Sequence, residues 1–506
     1  MKIIFVYKGF ENIGIEYLSS VLKEGGHKTL LAFDPGLFYD QFIKIKPLGR
    51  FFDYSSQLMK QVLDYSPGLV AFSVVSSDYQ WALQTAREIK KRTAVHINFG
   101  GIHPSSVPEV VLKNQCVDSV IIGEGEFALL ELANSLEKGN LDYSIKNIWF
   151  RDGDTIIKNP LRPYIEDLDC LPFPDKGLYY DLIPKYKSGY AVITRRGCLN
   201  SCSYCHNNIW DMRYPREEKR VRLRSLENVF AELNLAKKRY GFKLLRVNDD
   251  LFTSDENWLK EFSRRYEKEI GVPLYCFGSP STVNERVIAY LKKAGCYQLC
   301  LGVQSINMKT RSQILYRRDT NEQIKEAIGL CRRYGIRCVA DNIIGLPGQS
   351  EEDILEMARF YNQHRVDRAC VFWLIYFPRT AIVDTALKMG VLNKEMARSL
   401  EENPLATANT LQNALHKKEM LRYHLLLLLL NFIPPRIYNF IINRKLYRYF
   451  PLINPALIEI PFTMLSKDRL DIARRRYYIR YLYFMPKILK VRISSAVNRL
   501  FNLKSK

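Results

Sequence analysis

The sequence predicts an α/β protein: a doubly wound, Rossmann-like sheet, then a partial (β/α)6 barrel, then a mostly helical basic segment. Three observations carry this. Apolar runs of strand length alternate with helix-period segments over residues 1–145 and again over 186–395. Some runs, Leu69–Val75 above all, are continuously apolar, as strands buried on both faces are. The net charge of +22 is unevenly placed, with 19 Lys or Arg against four acids from Lys417 to Lys506. At 506 residues, 47% hydrophobic and 25% charged, the chain has core material for about three domains.

In the first domain, 1–145, strands are expected at Lys2–Tyr7, Lys28–Phe33, Leu69–Val75, Ala94–Phe99 and Ser119–Ile122. Helices are expected at Gly14–Glu24, Trp81–Lys91, Pro108–Lys113 and Phe127–Lys138. Ligands of such sheets bind beyond the carboxyl ends of the strands. Those ends read Gly9-Phe10-Glu11-Asn12-Ile13-Gly14, Ser73 to Tyr79, Gly100-Gly101-Ile102-His103-Pro104-Ser105 and Gly123-Glu124-Gly125-Glu126. Each alone is ordinary turn chemistry. Four on successive strands predict a platform where backbone comes close to a bulky ligand. No G-x-G-x-x-G is present, so a dinucleotide is not supported.

Residues 146–185 read as a connector, with an Asp152-Gly153 hairpin and then Pro160, Pro163, Pro172 and Pro174. From 186 to 395, strands are expected at Tyr190–Thr194, Leu244–Asn248, Leu274–Phe277, Gln298–Val303, Val339–Ile344 and Val371–Phe377. The intervening helices are Ser225–Tyr240, Glu256–Glu269, Asn284–Ala294, Asn321–Tyr334 and Glu351–Gln363. A barrel does its chemistry at the carboxyl ends of its strands. After the first strand lies Cys198-Leu199-Asn200-Ser201-Cys202-Ser203-Tyr204-Cys205, a C-x3-C-x2-C loop. Three thiolates can hold a [4Fe–4S] cube and leave one iron open. A zinc site completed by His206, haem attachment at C-x-x-C-H, and three structural cysteines also suit the spacing. Other strand ends carry Asn248-Asp249-Asp250, Gly278-Ser279, Gly302-Val303-Gln304-Ser305 and Gly345-Leu346-Pro347-Gly348-Gln349. These groups could receive an ammonium or a ribose, or cap helices through Asp250 and Ser305.

The 11 cysteines are odd in number and form no disulfide-like framework. The first residues read as a strand rather than a signal peptide, and no stretch reaches the length of a membrane span. A cytoplasmic enzyme is expected.

At the cysteine loop, Cys198/Cys202/Cys205 with Tyr204 before the last cysteine, the chain resembles the radical S-adenosylmethionine (radical SAM) superfamily. Gly302-Val303-Gln304-Ser305 and Ile343-Ile344-Gly345-Leu346-Pro347-Gly348 match later elements of that family. Gly100-Gly101-Ile102-His103-Pro104 and Gly123-Glu124-Gly125-Glu126 resemble its branch with an N-terminal cobalamin (vitamin B12)-binding domain. The resemblance covers residues 1–395 and departs in places. Asn248-Asp249-Asp250 replaces the usual acidic-glycine element, Phe377-Pro378-Arg379-Thr380 stands where Pro-Gly-Thr is frequent, and D-x-H-x-x-G is missing.

The resemblance implies that Cys198, Cys202 and Cys205 bind a [4Fe–4S] cluster. It places S-adenosylmethionine against Tyr204, Asp249, Ser279, Gln304 and Ile343, and cobalamin against Asn12, Ser76, Gly100, Gly101, His103, Gly123 and Glu124, with no protein histidine below cobalt. It also implies a 5′-deoxyadenosyl radical that takes hydrogen from an unactivated carbon, which methylcobalamin then methylates. A low-potential flavodoxin- or ferredoxin-like electron donor is the implied partner.

Residues 396–506 lie outside the resemblance. Basic residues interleave with Leu425–Leu430, with Ile437–Ile442 before Arg444-Lys445, and with Tyr477–Phe484 after Arg474-Arg475-Arg476. That pattern predicts peripheral contact with an anionic membrane, helical lids over the barrel being the other reading. RNA is not expected, since no RNA-binding module follows the barrel. The function expected is methylation of an unactivated carbon in a hydrophobic substrate, lipids included. The alternatives are an oxidative cyclase or rearrangement enzyme using the same cofactors, and a non-enzymatic iron–sulfur or zinc protein at the membrane.

Overall fold

The computed structural model describes residues 1–40, 43–214, 221–404, 417–453, 457–458 and 472–503. The chain falls into two compact units. One comprises residues 1–162, 172–187 and 456–506, the other residues 163–171 and 188–455.

The first unit is built on five parallel strands: β1 (Lys2–Lys8), β2 (Lys28–Asp34), β3 (Leu69–Ser73), β4 (His96–Gly100) and β5 (Ser119–Ile121). Their order is β2-β1-β3-β4-β5. Register is set by the apolar runs, Ile4 of β1 lying between Leu30 and Val70. Ile4, Val6, Val70, Phe72, Ile97 and Phe99 form the core with the helix Tyr79–Lys90. The expected hairpin is β6 (Ile148–Asp152) and β7 (Thr155–Lys158), turned at Gly153 with φ +58°. It extends the sheet, β6 running antiparallel to β5.

Four helices in this unit escape the periodicity reading, Lys46–Phe51, Ser55–Tyr65, Ile102–Ser106 and Gly177–Tyr180. The first buries no residue and the second only Leu58 and Val62, too sparse a stripe to read. The helix Ile472–Leu503 also belongs here. Its Phe484 is buried, 5.8 Å from the Phe33 ring and 5.7 Å from Tyr54. Tyr481 and Arg480 are buried beside it, so this part of the basic segment faces inward. The side chains of Arg474, Arg475, Arg476 and Tyr477 lie outside the described residues.

The second unit holds a six-stranded parallel sheet in sequential order: β8 (Gly189–Val192), then, past the short antiparallel pair β9 (Arg195–Arg196) and β10 (Arg222–Leu223), β11 (Leu244–Val247), β12 (Leu274–Gly278), β13 (Cys296–Gln304), β14 (Arg337–Ile344) and β15 (Arg368–Trp373). This is the strand order of a barrel left open between β8 and β15. The last strand sits three to four residues ahead of expectation, because its ladder ends with β14, at Ile344 opposite Trp373.

Five helices follow the strands as read: Leu226–Tyr240, Glu256–Glu269, Glu285–Lys293, Asn321–Arg333 and Glu351–Gln363. Each begins at a side-chain cap, Ser225, Asp255, Asn284, Thr320 and Ser350, worth about 1 kcal/mol apiece. Neither Asp250 nor Ser305 caps one of these helices.

Helices Ala381–Lys388 and Lys394–Glu402 were not anticipated. The Leu425–Leu430 run is core rather than surface, with Leu425, Leu426, Leu427 and Leu430 buried in and just after a helix that packs on β15. Among the described residues no helix is long and apolar enough to cross a membrane.

Candidate active site and cofactor platform

The cysteine loop leaves β9 through Gly197, whose φ of +88° turns the chain sharply. Asp249, past the end of β11, braces the approach. Its Oδ1 accepts from the Thr194 amide at 2.7 Å, its Oδ2 from the Thr194 hydroxyl at 2.5 Å, and Arg195 Nε lies 3.3 Å away. Both oxygens are spent inside the protein, which makes Asp249 a support for the loop. Burial raises its carboxyl above the ordinary range, with Arg195 the main opposing influence.

Within the loop, Ser203 anchors both ways. Its amide donates to the Leu315 carbonyl at 3.2 Å and its hydroxyl to the Ile314 carbonyl at 2.5 Å, in a wide turn over Thr310–Ile314. The Ile382 amide donates to Ser203 O at 2.9 Å.

Arg317 joins the loop to the sheet. Nη1 reaches Cys202 Sγ at 3.6 Å, Nη2 the Gly302 carbonyl at 2.7 Å and Ser279 Oγ at 2.9 Å, and Nε Asp319 at 2.9 Å. Asp319 also accepts from Ser279 Oγ and the Ser281 amide. Burial disfavours its charge, but Arg317 and those bonds hold its carboxyl below the ordinary value. Sequence reasoning missed Arg317 and Asp319. The Arg317-Arg318-Asp319 run between β13 and its helix was the available signal.

Of the residues expected at S-adenosylmethionine, Ser279 and Gln304 stand at the ends of β12 and β13, next to Gly302. Gln304 has φ +67°, and the Ser305 amide bonds back to Val303 O at 2.8 Å around it, a strained turn for a non-glycine residue. Ile343 joins Leu315, Leu346 and Tyr376 in an apolar cluster against which Tyr204 packs. Tyr376 is a further missed residue. Its hydroxyl is buried without a hydrogen-bond partner among the described residues, as are Ser305 Oγ and Gln349 Nε2. Native interiors rarely leave such groups unpaired, so they suit a polar ligand.

In the first unit the four expected loops are stitched together. Asn12 caps its own helix at the Ile15 amide and donates to Ser73 Oγ at 3.3 Å. Ser76 Oγ meets His103 Nδ1 at 3.0 Å, and Ser105 Oγ accepts from the Gly123 amide at 3.2 Å. Gly100 ends β4 and accepts from the Val74 amide. At Gly101, φ is +95° and a Cβ would lie 2.9 Å from Val74 N, so only glycine fits. His103 is fully buried, its ring centroid 4.1 Å from that of Tyr79, and acts as a brace. Glu124 presents its carbonyl to Asn147 Nδ2. Beneath the first loop, buried Lys176 lies 2.6 Å from Glu16 and 3.4 Å from Glu11. Arg480 donates to Gly9 O at 3.1 Å, stacks 4.4 Å over Phe10 and pairs with buried Asp40.

Comparison with known proteins now bears on this geometry. Residues 192–361 match the radical SAM superfamily, and residues 6–133 match the B12 binding domain. The chain carries a radical SAM domain and a B12-binding domain. An uncharacterised methyltransferase of Pyrococcus horikoshii is 26% identical to it over 389 residues, covering 75% of this chain and 79% of the relative. An anaerobic magnesium-protoporphyrin IX monomethyl ester cyclase of Rubrivivax gelatinosus is 25% identical, covering 75% and 68%.

Two solved structures share the fold. The cobalamin-dependent radical enzyme OxsB, solved with aqua-cobalamin and S-adenosylmethionine, aligns at a TM-score of 0.65 and 14% identity over 99% of this chain and 81% of its own. The radical methyltransferase TsrM of Kitasatospora setae, solved with cobalamin and a [4Fe–4S] cluster, aligns at 0.62 and 18% over 76% and 74%.

The cofactors of this radical SAM enzyme are a [4Fe–4S] cluster, S-adenosylmethionine and cobalamin, and its residues fit them. Among the described residues no three His, Cys, Asp or Glu side chains gather tightly enough for a single ion. Cys198 and Cys205 are half-buried and Cys202 buried. Thiols spread over a loop suit ligands that each meet a different iron of one cube, rather than convergence on one zinc. Burial pushes the Cys205 thiol up to about 12, so a cationic centre is needed to hold its thiolate. Cobalamin fits the loops after β1 and β3, where the strand order reverses and such sheets place their ligands.

Proposed function

We propose that this radical SAM enzyme methylates an unactivated carbon of a hydrophobic substrate, with lipids the foremost class. The observation that carries the reading is the union, in one chain, of a three-thiol loop anchored at the strand ends of an open parallel barrel with a glycine-lined cobalamin platform. When bound, the cluster and S-adenosylmethionine supply a carbon-centred radical and cobalamin supplies a transferable methyl group.

This chain's own residues orient and insulate. Cys198, Cys202 and Cys205 hold the cluster, and Arg317 offsets thiolate charge at Cys202. Ser279, Gln304 and Tyr376 offer hydrogen bonds to a polar ligand, while Tyr204 and Ile343 give it an apolar wall. Asn12, Ser76, Gly100, Gly101, His103, Gly123 and Glu124 set the cobalamin floor. Reducing equivalents come from a low-potential flavodoxin- or ferredoxin-like donor. The Pyrococcus methyltransferase supports methyl transfer, and large apolar side chains left exposed after Asn431 support a hydrophobic substrate.

The Rubrivivax cyclase keeps a second reading open, ring formation with the same cofactors. One experiment decides. Anaerobically reconstituted enzyme is supplied with S-adenosylmethionine carrying a deuterated methyl group and with lipid extracts. Methylation predicts 5′-deoxyadenosine together with a product heavier by the labelled methyl. 5′-Deoxyadenosine with an unlabelled product transfers the case to the cyclase reading. A C198A/C202A/C205A variant is expected to lose iron and all cleavage, and cleavage persisting in it would sink both.

A further inference from the structure

The helix Pro435–Asn443 and the turn after it form a surface that includes none of the residues placed at the cluster, S-adenosylmethionine or cobalamin. The helix packs inward through Tyr438 and Ile442, the Tyr438 hydroxyl donating to the Leu426 carbonyl at 3.0 Å. Asn362 holds it by donating to Pro435 O at 3.0 Å and Asn439 Oδ1 at 2.7 Å. Its placement is therefore fixed, and its opposite face carries exposed side chains. Phe432 is 55% exposed, Ile437 53%, Phe440 55% and Tyr449 85%, followed by Leu452 and Ile453. With Leu446, seven of the 23 exposed large hydrophobic side chains among the described residues fall within Phe432–Ile453. A concentration of that kind marks an interaction surface rather than the usual scatter.

Within this stretch of sequence the charge has one sign. Between Glu419 and Glu459 the sequence carries no Asp or Glu. Arg436, Arg444 and Lys445 are exposed, and none pairs with an acid among the described residues. The Arg448 edge is already occupied, meeting Glu351 at 3.0 Å. Ile437, Phe440 and Arg444 recur at helical spacing, which sets apolar groups beside cations on one face. Aromatic and aliphatic side chains flanked by cations, with one acid, Glu351, at the Arg448 edge, match the layering of a bilayer surface, acyl chains below anionic headgroups.

We propose that this face docks the enzyme on an anionic phospholipid membrane, with Phe432, Ile437, Phe440 and Tyr449 entering the interface and Arg436, Arg444 and Lys445 meeting the headgroups. It deepens the hydrophobic-substrate reading by naming where such a substrate is collected, and it does not depend on the reaction being methylation.

The test uses full-length protein with its cluster, sedimented with vesicles of phosphatidylglycerol and phosphatidylcholine, and with phosphatidylcholine alone. Binding is expected to the anionic vesicles at low salt, weakening as salt rises. Ile437→Ser with Phe440→Ser is expected to lower partitioning by at least about tenfold. Gln at Arg436, Arg444 and Lys445 is expected to lower it about fivefold for each cation removed. Cluster absorbance and the thermal melt report that the variants are folded; if the serine pair fails them, the glutamine set carries the test.

Wild type that stays in the supernatant at low salt overturns the proposal. So do folded variants that bind like wild type, or a serine variant that turns a lipid-free oligomer into a monomer. Vesicle binding without any methylated lipid leaves docking standing and removes the substrate reading. A methylated lipid made by protein that binds no vesicle removes docking alone.

Discussion

The cysteine loop and the cobalamin platform are both sets of loops at the carboxyl ends of parallel strands, yet they are held by different chemistry. Around Cys202 the supports are charged and buried: Arg317 on Asp319, Arg195 on Asp249. Across the platform they are neutral: Asn12 to Ser73, Ser76 to His103, Ser105 to the Gly123 amide. Three thiols on one loop gather negative charge once ionised, and a guanidinium nearby offsets it. A platform that receives a large flat ligand has no such demand, and close backbone approach matters more, which glycine supplies. The first unit keeps its buried ion pairs behind the loops, Lys176 on Glu16 and Glu11, and Arg480 on Asp40 with a grip on Gly9.

The largest effects come from breaking these pairs. Arg317→Ala is expected to leave the Asp319 carboxylate buried without its counter-ion, at about 3–5 kcal/mol. Urea unfolding reads the loss in the second unit, and iron content falls with it because Cys202 loses its contact. Arg480→Ala does the same to Asp40 in the first unit, of similar size. There the accompanying change is weaker cobalamin binding, seen in the corrin absorbance, with iron unchanged. Iron lost from Arg480→Ala, or retained in full by Arg317→Ala, would break the contrast.

Acid sharpens it next. Burial pushes His96 in the first unit and His424 in the second down to about 4. An imidazole depressed on folding gives stability that is complete above its unfolded value near 6.5 and is lost as pH falls toward 4. Each is expected to cost on the order of 2 kcal/mol between pH 7 and pH 5. Their partners differ, however. His424 Nδ1 accepts from the Trp373 indole N–H at 3.2 Å, a donor that cannot reverse, whereas His96 Nε2 faces the Ser119 hydroxyl at 2.8 Å, which can turn to accept. The second unit should therefore be the more acid-sensitive. Denaturant midpoints at pH 7 and 5 for His96→Asn and His424→Asn check this, the second flattening the pH dependence more.

How much of this was legible follows from which interactions are local. Strand runs and the helices between them read directly, because their apolar periodicity is local; the caps did not, since Ser225, Thr320 and Ser350 open the helices and the expected Asp250 and Ser305 cap none of them. The platform loops read from their glycines, and the cysteines from their spacing. Arg317 and Arg480 did not read, since each matters through partners far away in sequence: Cys202, 115 residues off, and Gly9, 471 residues off. Charge density misled for the same reason. Leu425–Leu430 and Tyr481–Phe484 look amphipathic beside their cations, but whether an apolar run faces β15, Phe33 or solvent is decided by tertiary packing.

The smallest single effect, that of Gln304→Gly, separates the two regions most sharply, because it should be opposite in sign to its counterpart on the platform. Gly101 on the platform and Gln304 at the end of β13 both have positive φ, +95° and +67°. Gly101→Ala places a Cβ 2.9 Å from Val74 N and should destabilise the first unit by about 1–3 kcal/mol. Gln304→Gly removes a side chain from a backbone shape that glycine adopts freely, and should stabilise the second unit by up to about 1 kcal/mol. A protein that keeps glutamine where glycine would fold better is using the side chain. Thermal melts of the two variants, paired with S-adenosylmethionine affinity for Gln304→Gly, test the point. A higher melting temperature with weaker binding identifies Gln304 as strain held for a ligand, and a higher melting temperature with unchanged binding removes that role from it.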